Sequence, residues 1–265
     1  MAPDANHGIS LDGAERLAGQ TVVVTGASRG IGRAIALELA RSGAAVVVHA
    51  GHHIDAAEEV AAAIGTAGGE AVAELADLAD PAACLALAER VWRWRGGVDV
   101  WINNAGADIL TTAAARGSFE EKMAMLWSVD VAGTVRLSRE AGARMQAAGG
   151  GVILNMGWDG AERGMAGATA EVFATAKGAV MAFTRSLAHS LAPAVRVNAI
   201  APGWIRTQWG AQASAEWQRR AAAESLRNRW GTPEDVARVA RFLASPAADF
   251  LSGQVIAVNG GFRYA

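Results

Sequence analysis

The stretch "TGASRGIG", Thr25–Gly32, decides the fold, because it joins the apolar run "QTVVVT" at 20–25 to a segment of helical period. Gly26, Gly30 and Gly32 permit a tight turn and a close approach of the backbone to a ligand, and a helix N-terminus offers N–H groups to an anion. The spacing matches neither G-x-G-x-x-G nor a Walker P-loop, which needs Gly-Lys-Ser/Thr. Taken alone, these glycines are also compatible with a simple turn after a strand.

The rest of the chain repeats this order of strand and helix. Runs rich in Val and Ile indicate strands at 20–25, 45–50, 71–75, 98–103, 151–156, 194–200 and 254–258. Alanine-rich segments of helical period separate them, which is typical of βα units around a parallel sheet. With right-handed crossovers, the pattern predicts an α/β fold: a Rossmann-type doubly wound parallel sheet of seven strands, with helices on both faces. Ligands of such sheets bind outside the carboxyl ends of the strands.

One domain is predicted over 19–265, after an N-terminal arm at 1–18 that we expect to be flexible. Capping patterns mark four helix starts: Asp55 with Glu58, Ser118 with Glu121, Asp80 before Pro81, and Thr232 before Pro233.

Composition excludes several classes of function. The 265 residues include 24 basic and 26 acidic side chains, a net charge of -2, so there is no electrostatic footprint for nucleic acid or an anionic membrane. No apolar run reaches bilayer length. The single cysteine, Cys84, can form neither an internal disulfide nor a zinc cluster, and we expect a cytoplasmic protein without a metal site.

Further motifs stand at the ends of the later strands. "NNAG" (Asn103–Gly106) ends the fourth strand, "DLAD" begins at Asp77, "NAIAPGWIRT" covers Asn198–Thr207, and "LSGQVIAVNGG" closes the chain. Together with Thr25–Gly32, these motifs resemble those of the short-chain dehydrogenase/reductase family from about residue 19 to the C-terminus. The resemblance implies a nicotinamide cofactor, a small-molecule substrate, and a homotetramer or homodimer formed through helices near 118–147 and 168–190.

The resemblance also implies roles for individual cofactor-binding residues. The phosphates are assigned to the glycine turn: Gly26, Ser28, Arg29, Gly30, Ile31 and Gly32. The adenine is assigned to Asp77 and Leu78, and the adenosine side to Asn104, Ala105 and Gly106. The nicotinamide is assigned to Pro202, Gly203, Ile205 and Thr207, and its ribose to Lys177.

The form of the cofactor is decided just after the second strand, in "VVVHAGHHID". An acidic side chain there binds a 2′-hydroxyl, whereas a basic one accommodates a 2′-phosphate. Ala50 and Gly51 occupy the usual positions of the acid, and Arg29 with His52 or His53 offers positive charge and donors. The segment favours NADP(H) over NAD(H), although the histidines are also compatible with a solvated loop and are only partly charged at neutral pH.

The substrate end departs from the family pattern. Carbonyl reduction in the family uses a tyrosine, a lysine, a serine and an asparagine, because the alkoxide left by hydride transfer needs a proton and hydrogen-bond donors. Only Lys177 is retained. Phe173 stands at the tyrosine position, Asp130 at the asparagine position, and Trp158 or Asp159 nearest the serine position.

Two interpretations follow. In the first, the protein is an oxidoreductase with altered proton delivery, acting on an enoyl or dienoyl thioester or on an unidentified carbonyl. One branch, the 2,4-dienoyl-CoA reductases, lacks the tyrosine and keeps the lysine, and its peroxisomal members carry an aspartate in a context similar to "DVAGT" here, so Asp130 would hold the protonating water. Asp130 is equally compatible with capping a helix kink. In the second, the protein binds a dinucleotide without catalysis and serves as a regulatory or structural subunit.

The segment at about 205–230 is predicted to be the substrate lid. Trp158, Trp204 and Trp209 are candidates to line an aromatic pocket beside it. Four arginines of the lid suit an anionic substrate such as a CoA ester, or simply a solvated helical face: Arg219, Arg220, Arg227 and Arg229.

Overall fold

The computed structural model describes residues 16–263, apart from the side chain of Trp209. Its centre is a parallel sheet of seven strands in the order β3-β2-β1-β4-β5-β6-β7. The strands are β1 (Thr21–Val24), β2 (Ala45–Ala50), β3 (Glu70–Leu75), β4 (Val100–Asn103), β5 (Gly151–Met156), β6 (Val195–Pro202) and β7 (Val255–Val258). The predicted doubly wound sheet is confirmed, and its strand order reverses between β1 and β4.

Helices cover both faces of the sheet. They are α1 (Gly30–Arg41), α2 (Ile54–Thr66), α3 (Pro81–Arg95), α4 (Phe119–Leu126), α5 (Thr134–Ala148), α6 (Gly160–Arg163), α7 (Ala168–Leu191), α8 (Gln208–Gln212), α9 (Ala215–Glu224) and α10 (Pro233–Ala244). Successive residues of β1 belong to different cores: Val22 and Val24 pack on the face of α1, α2 and α10, and Val23 on the face of α3, α5 and α7. Because both faces are covered, the central strands β1, β2 and β4 consist mostly of buried apolar residues.

Three of the four predicted helix caps are present. Ser118 and Thr232 each form a reciprocal capping box, with Glu121 and Asp235, and Asp80 accepts a hydrogen bond from the Ala82 N–H. The prediction of a cap by Asp55 is wrong. Helix α2 begins at Ile54, so Asp55 lies inside the first turn, where its charge favours the helix dipole but cannot cap the end.

The helix expected over 118–147 is interrupted in its middle. Between α4 and α5, Trp127–Gly133 forms a π-helical segment with Asp130 at its centre. Such segments widen a helix locally and are frequent at functional sites. The second long helix, expected over 168–190, is α7.

Residues 16–18 of the predicted arm belong to the described part of the chain. Residues 1–15 of the arm lie outside the described residues. Leu17, however, is fully buried in the core, and its N–H donates to the Ser42 carbonyl, because an apolar side chain next to β1 gains more by packing than by exposure. Within residues 16–263, no helix is both long enough and apolar enough to cross a bilayer.

Candidate functional site

The turn between β1 and α1 has the geometry of an anion cradle. Gly26 and Gly30 adopt φ of +62° and +56°, which side chains rarely tolerate. A Cβ on Gly32 would overlap the Gly26 carbonyl and the Asn104 amide, so the turn is closely packed. Arg29, at the start of α1, makes no side-chain cap, and the first N–H groups of the helix therefore stay available to a ligand.

The segment after β4 supports this turn from the neighbouring strand. Asn104 Nδ2 donates to the carbonyl oxygens of Thr25 and Gly26, each at 3.0 Å. Thr25 Oγ1 in turn accepts the N–H groups of Asn104 and Ala105. Two predicted cofactor segments thus meet at the point where the strand order reverses, where doubly wound sheets bind their ligands.

The other cofactor candidates lie along the same edge. Asp77 is exposed after β3, whereas the Leu78 side chain is buried in the core on the side of α3 and α5. On the far side, Pro202 ends β6 and Ile205 is buried, and the Thr207 methyl lies 3.7 Å from where a Cβ of Gly30 would stand. The segments assigned to the phosphates and to the nicotinamide therefore lie beside each other at the carboxyl edge of the sheet, where doubly wound folds have their ligand-binding crevice, and we call this edge the cleft.

Asp130 and Lys177 form a buried ion pair. Lys177 Nζ donates to Asp130 Oδ2 at 2.8 Å, and the two side chains are only 10% and 1% exposed. Asp130 Oδ1 accepts the Ala107 N–H, also at 2.8 Å. Asp130 therefore links the π-helical segment, the segment after β4 and α7, which places a carboxylate and an ammonium together in the cleft.

Below this pair, a chain of buried polar side chains joins the sheet to α5 and α7. Asn103 and Asn155 are register partners on β4 and β5, and Asn103 Nδ2 donates to Asn155 Oδ1 at 2.9 Å. Asn103 Nδ2 also donates to Ser138 Oγ on α5, and Asn155 Nδ2 donates to Thr184 Oγ1 on α7. This network fixes α5, which directly follows the π-helical segment of Asp130, and α7, which carries Lys177. Sequence reasoning missed it, although two asparagines inside apolar strands were a visible signal.

Phe173 and Trp158 form an apolar wall near the pair. Their ring centroids are 6.2 Å apart and the rings are tilted by 60°. Phe173 stands one helical turn before Lys177 on the same face of α7, so this position holds a ring without an exchangeable proton.

Asp159 is buried and engaged by other side chains. Its Oδ2 accepts from Arg163 Nη2 at 2.7 Å and from Asn259 Nδ2 at 3.0 Å. The Arg163 guanidinium in turn lies 3.5 Å from the centre of the Phe262 ring. Of the two residues nearest the expected serine position, Asp159 therefore holds the C-terminal segment, and Trp158 faces Phe173.

The predicted lid is a loop whose two ends are joined. Arg206 N–H donates to the Gly231 carbonyl and Gly231 N–H to the Trp204 carbonyl, each at 2.9 Å, and α8 and α9 lie between them. Trp204 packs against Trp217 and Trp230, with ring centroids at 5.2 and 6.0 Å.

Glu224, the last residue of α9, accepts hydrogen bonds from two side chains. It accepts from Trp204 Nε1 and from Arg220 Nε, at 2.7 and 2.6 Å. Burial opposes ionisation, but the bonds from Arg220 and Trp204 prevail and lower the pKa of Glu224. The Trp204 side chain is therefore held against the lid by Glu224, Trp217 and Trp230. Of the four lid arginines, Arg220 pairs with Glu224 and Arg229 with Asp235.

The end of β2 carries no acidic group. Ala50 is buried, Gly51 has open space where a Cβ would stand, and His52 and His53 are exposed. Arg29 reaches across the cleft, with Nη2 3.5 Å from Asp108 Oδ2 and Nη1 3.5 Å from Gln208 Oε1. The side chain is 64% exposed, so this pair is weak and easily exchanged for another anion.

Sequence reasoning also missed His49, whose buried imidazole contacts the glycine turn. In the sequence it is a single polar residue within an apolar strand, and only the structure shows what lies around it. Among residues 16–263, no group of three or more His, Cys, Asp or Glu side chains is placed to hold a metal ion.

Comparison with known proteins gives full-length matches. A family model described as enoyl-(acyl carrier protein) reductase matches residues 26–263. Versicolorin reductase 1 from Aspergillus parasiticus is 36% identical over 259 residues, which cover 93% of this chain and 97% of the reductase.

Two solved structures match with similar coverage. A 7 alpha-hydroxysteroid dehydrogenase complexed with NADH and 7-oxo glycochenodeoxycholic acid is 33% identical, with a TM-score of 0.86 over 94% of this chain and 96% of that one. A short-chain dehydrogenase from Burkholderia cenocepacia J2315 in complex with NADP is 30% identical, with a TM-score of 0.84 over 93% and 98%. The matching structures thus include both an NADH complex and an NADP complex.

Proposed function

Since the chain belongs to the short-chain dehydrogenase/reductase family, we propose that it is an oxidoreductase that transfers a hydride between a nicotinamide dinucleotide and a small molecule through an altered proton-delivery site. The observation that carries the altered site is the buried Asp130–Lys177 pair, which lies one helical turn from Phe173. The pair keeps two charged groups in the cleft at a place where the aromatic ring has no proton to give.

The residues of the cleft fit a dinucleotide. The left-handed Gly26 and Gly30, the crowded Gly32 and the uncapped start of α1 form a surface to which a pyrophosphate can approach closely. Ser28, Arg29 and Ile31 would complete the phosphate contacts, and Lys177 would reach the nicotinamide ribose. When bound, the nicotinamide supplies or accepts the hydride.

The pair and the aromatic wall favour one class of substrate. A ketone reduced by hydride becomes an alkoxide that needs a proton from a donor in contact, and Phe173 offers none. A C=C bond conjugated to a thioester instead accepts hydride at one carbon and leaves an enolate, whose α-carbon takes its proton from water. A proton from solvent then neutralises the hydroxide that is left. Asp130 and Lys177 would hold this water, Lys177 would stabilise the enolate oxygen, and Phe173 and Trp158 would exclude bulk solvent. We therefore favour an enoyl or dienoyl thioester, with the lid at about 205–230 closing over it.

NADP(H) is the cofactor form that the β2 end supports. No carboxylate stands at Ala50 or Gly51 to bind a 2′-hydroxyl, whereas His52 and the loosely paired Arg29 offer donors to a 2′-phosphate. The matched test is Gly51→Asp, which has space for the side chain, against Gly97→Asp at the opposite end of the sheet. We expect Gly51→Asp to shift the ratio of NADPH to NADH dissociation constants by at least about tenfold towards NADH. An unchanged ratio would contradict the NADP(H) assignment.

The second interpretation, a dinucleotide-binding subunit without catalysis, is less well supported, because the full-length relatives are named as reductases and dehydrogenases. Assembly into a homodimer or homotetramer stays a prediction.

The deciding experiment follows reduced nicotinamide absorbance with NADPH and three acceptors: a 2,4-dienoyl thioester, a 2-enoyl thioester and a ketone. Asp130→Asn should lower thioester reduction by about 10²-fold or more and change the NADPH dissociation constant far less, because Asp130 contacts the cofactor only through Lys177. Asp55→Asn, an exposed acid on α2, serves as the matched control. Phe173→Tyr should raise ketone reduction, because it restores a phenol beside Lys177.

Each other outcome has a distinct meaning. Full thioester reduction by Asp130→Asn would remove Asp130 from the mechanism, and turnover of the ketone alone would make the substrate a carbonyl. Binding of NADPH without turnover of any acceptor would favour the non-catalytic subunit.

A further inference from the structure

The imidazole of His49 is buried at the carboxyl end of β2, between the glycine turn and the end of β3. None of the proton-transfer or substrate-binding roles described above involves it. A buried histidine is costly unless both ring nitrogens find partners, so its contacts indicate what it is there to hold.

Both nitrogens have backbone partners on different elements. The Gly26 N–H donates to Nδ1 at 3.2 Å, and Nε2 lies 2.9 Å from the Ala76 carbonyl oxygen. Because Nδ1 accepts, Nε2 must carry the hydrogen and donate to Ala76. The His49 carbonyl also accepts the Ala27 N–H at 2.8 Å. One residue thus ties the turn after β1 to β2 and to the segment that leads into Asp77.

The ring is neutral under ordinary conditions. Burial, opposed by the hydrogen bond to Ala76 and assisted by the charge of Arg90, lowers the pKa of His49 to about 4. The charged groups facing it are Glu74, its register partner on β3, and Arg90 of α3, which are paired with each other at 2.7 Å. Protonation would place a hydrogen on Nδ1 and remove the acceptor for Gly26.

We propose that His49 is a positioning residue for the cofactor: its imidazole sets the Gly26 amide and the segment from Ala76 to Asp77 in the arrangement that receives the phosphates and the adenine. This inference rests on the proposed role of the glycine turn. It differs from core packing alone, because an apolar side chain of similar size would fill the space without fixing either backbone group.

The test compares His49→Leu, which removes both bonds, with His49→Asn, whose amide can still accept from Gly26. His189→Leu, an exposed histidine on α7, is the control. By calorimetry with NADP+, we expect the dissociation constant to rise about tenfold in His49→Leu and less in His49→Asn. With an acceptor that the wild type reduces, KM for the cofactor should rise while kcat at saturating cofactor is kept.

Several results would overturn the inference. A leucine variant that binds NADP+ like the wild type would do so, as would a fall in kcat without a change in the dissociation constant. Failure of the wild type to bind either dinucleotide would instead refute the proposed function.

If both variants unfold, the ¹⁵N NMR spectrum of the His49 imidazole in the wild type tests the inference instead. The inference requires a neutral ring protonated on Nε2, with an Nδ1 resonance that shifts when NADP+ is added. A ring that does not respond to NADP+ would contradict it.

Discussion

Separating the partners of the Asp130–Lys177 pair should cost far more than removing both. Asp130→Ala leaves an ammonium almost without solvent and deprives the Ala107 N–H of its acceptor. Removal of one member of a buried ion pair costs about 3–5 kcal/mol. Lys177→Met leaves a carboxylate that still accepts from Ala107, so we expect a cost near the lower end, about 3 kcal/mol. The double variant buries no charge and leaves only the Ala107 N–H unpaired, at about 1–3 kcal/mol.

The four proteins therefore form a double-mutant cycle with a coupling energy of at least about 3 kcal/mol, which is the smallest sum of the two single effects less the largest effect of the double variant. Urea denaturation followed by circular dichroism gives the free energies of unfolding. A parallel cycle on Glu162 and Arg185, an ion pair at 3.1 Å with both side chains about half exposed, should give a coupling below about 1 kcal/mol. If the single effects at 130 and 177 simply add, the two side chains are not paired and the proposed water-holding site loses its basis.

Three further predictions concern the glycine turn, His49 and the cap of α10. Gly32→Ala forces a methyl group into the Gly26 carbonyl and should weaken calorimetric NADP+ binding by at least about tenfold, whereas Gly65→Ala, in open space on α2, should leave it unchanged. The pKa of His49 is about 4 in the fold and about 6.5 in the unfolded chain, so the neutral ring stabilises the fold above pH 6.5 by up to about 3 kcal/mol. In urea titrations of the wild type, this contribution to the free energy of unfolding should be lost as the pH falls from 6.5 to 4. His49→Asn should not show this loss. Thr232→Ala, which breaks a capping box, should cost about 1 kcal/mol of unfolding free energy, and Thr232→Ser should restore most of it.

The sheet could be predicted because its determinants are local. The apolar runs of β1 and β2 are short, β-branched and buried on both faces, and "TGASRGIG" follows β1 directly. The caps at Ser118 and Thr232 were likewise visible, since Glu121 follows Ser118 by three residues and Pro233 follows Thr232 directly. The capping prediction at Asp55 failed because one residue of displacement separates an N-cap from a first turn.

The arrangement of the site was less accessible, because it depends on contacts between distant segments. The sequence predicted Asp130 and Lys177 as site residues, but their pairing depends on a π-helical segment that brings Asp130 to α7. Asp159 was placed near the serine position by its place in the chain. Its bond to Arg163 is local, but its bond to Asn259 joins segments 100 residues apart and depends on how the C-terminal segment folds back. His49 showed no motif at all, since its partners are backbone groups 23 and 27 residues away.

The central claim, hydride transfer without a phenolic acid, is tested most directly by single-turnover reduction of a 2,4-dienoyl thioester with NADPH carrying deuterium at the transferred position of nicotinamide C4. The proposed mechanism predicts NADPH oxidation, deuterium in the reduced thioester, a second hydrogen drawn from solvent water, and loss of at least about 99% of the rate in Asp130→Asn. A thioester product without deuterium would contradict it. So would NADPH that stays reduced in the presence of the thioester, when the same enzyme reduces a ketone at the full rate in a separate assay.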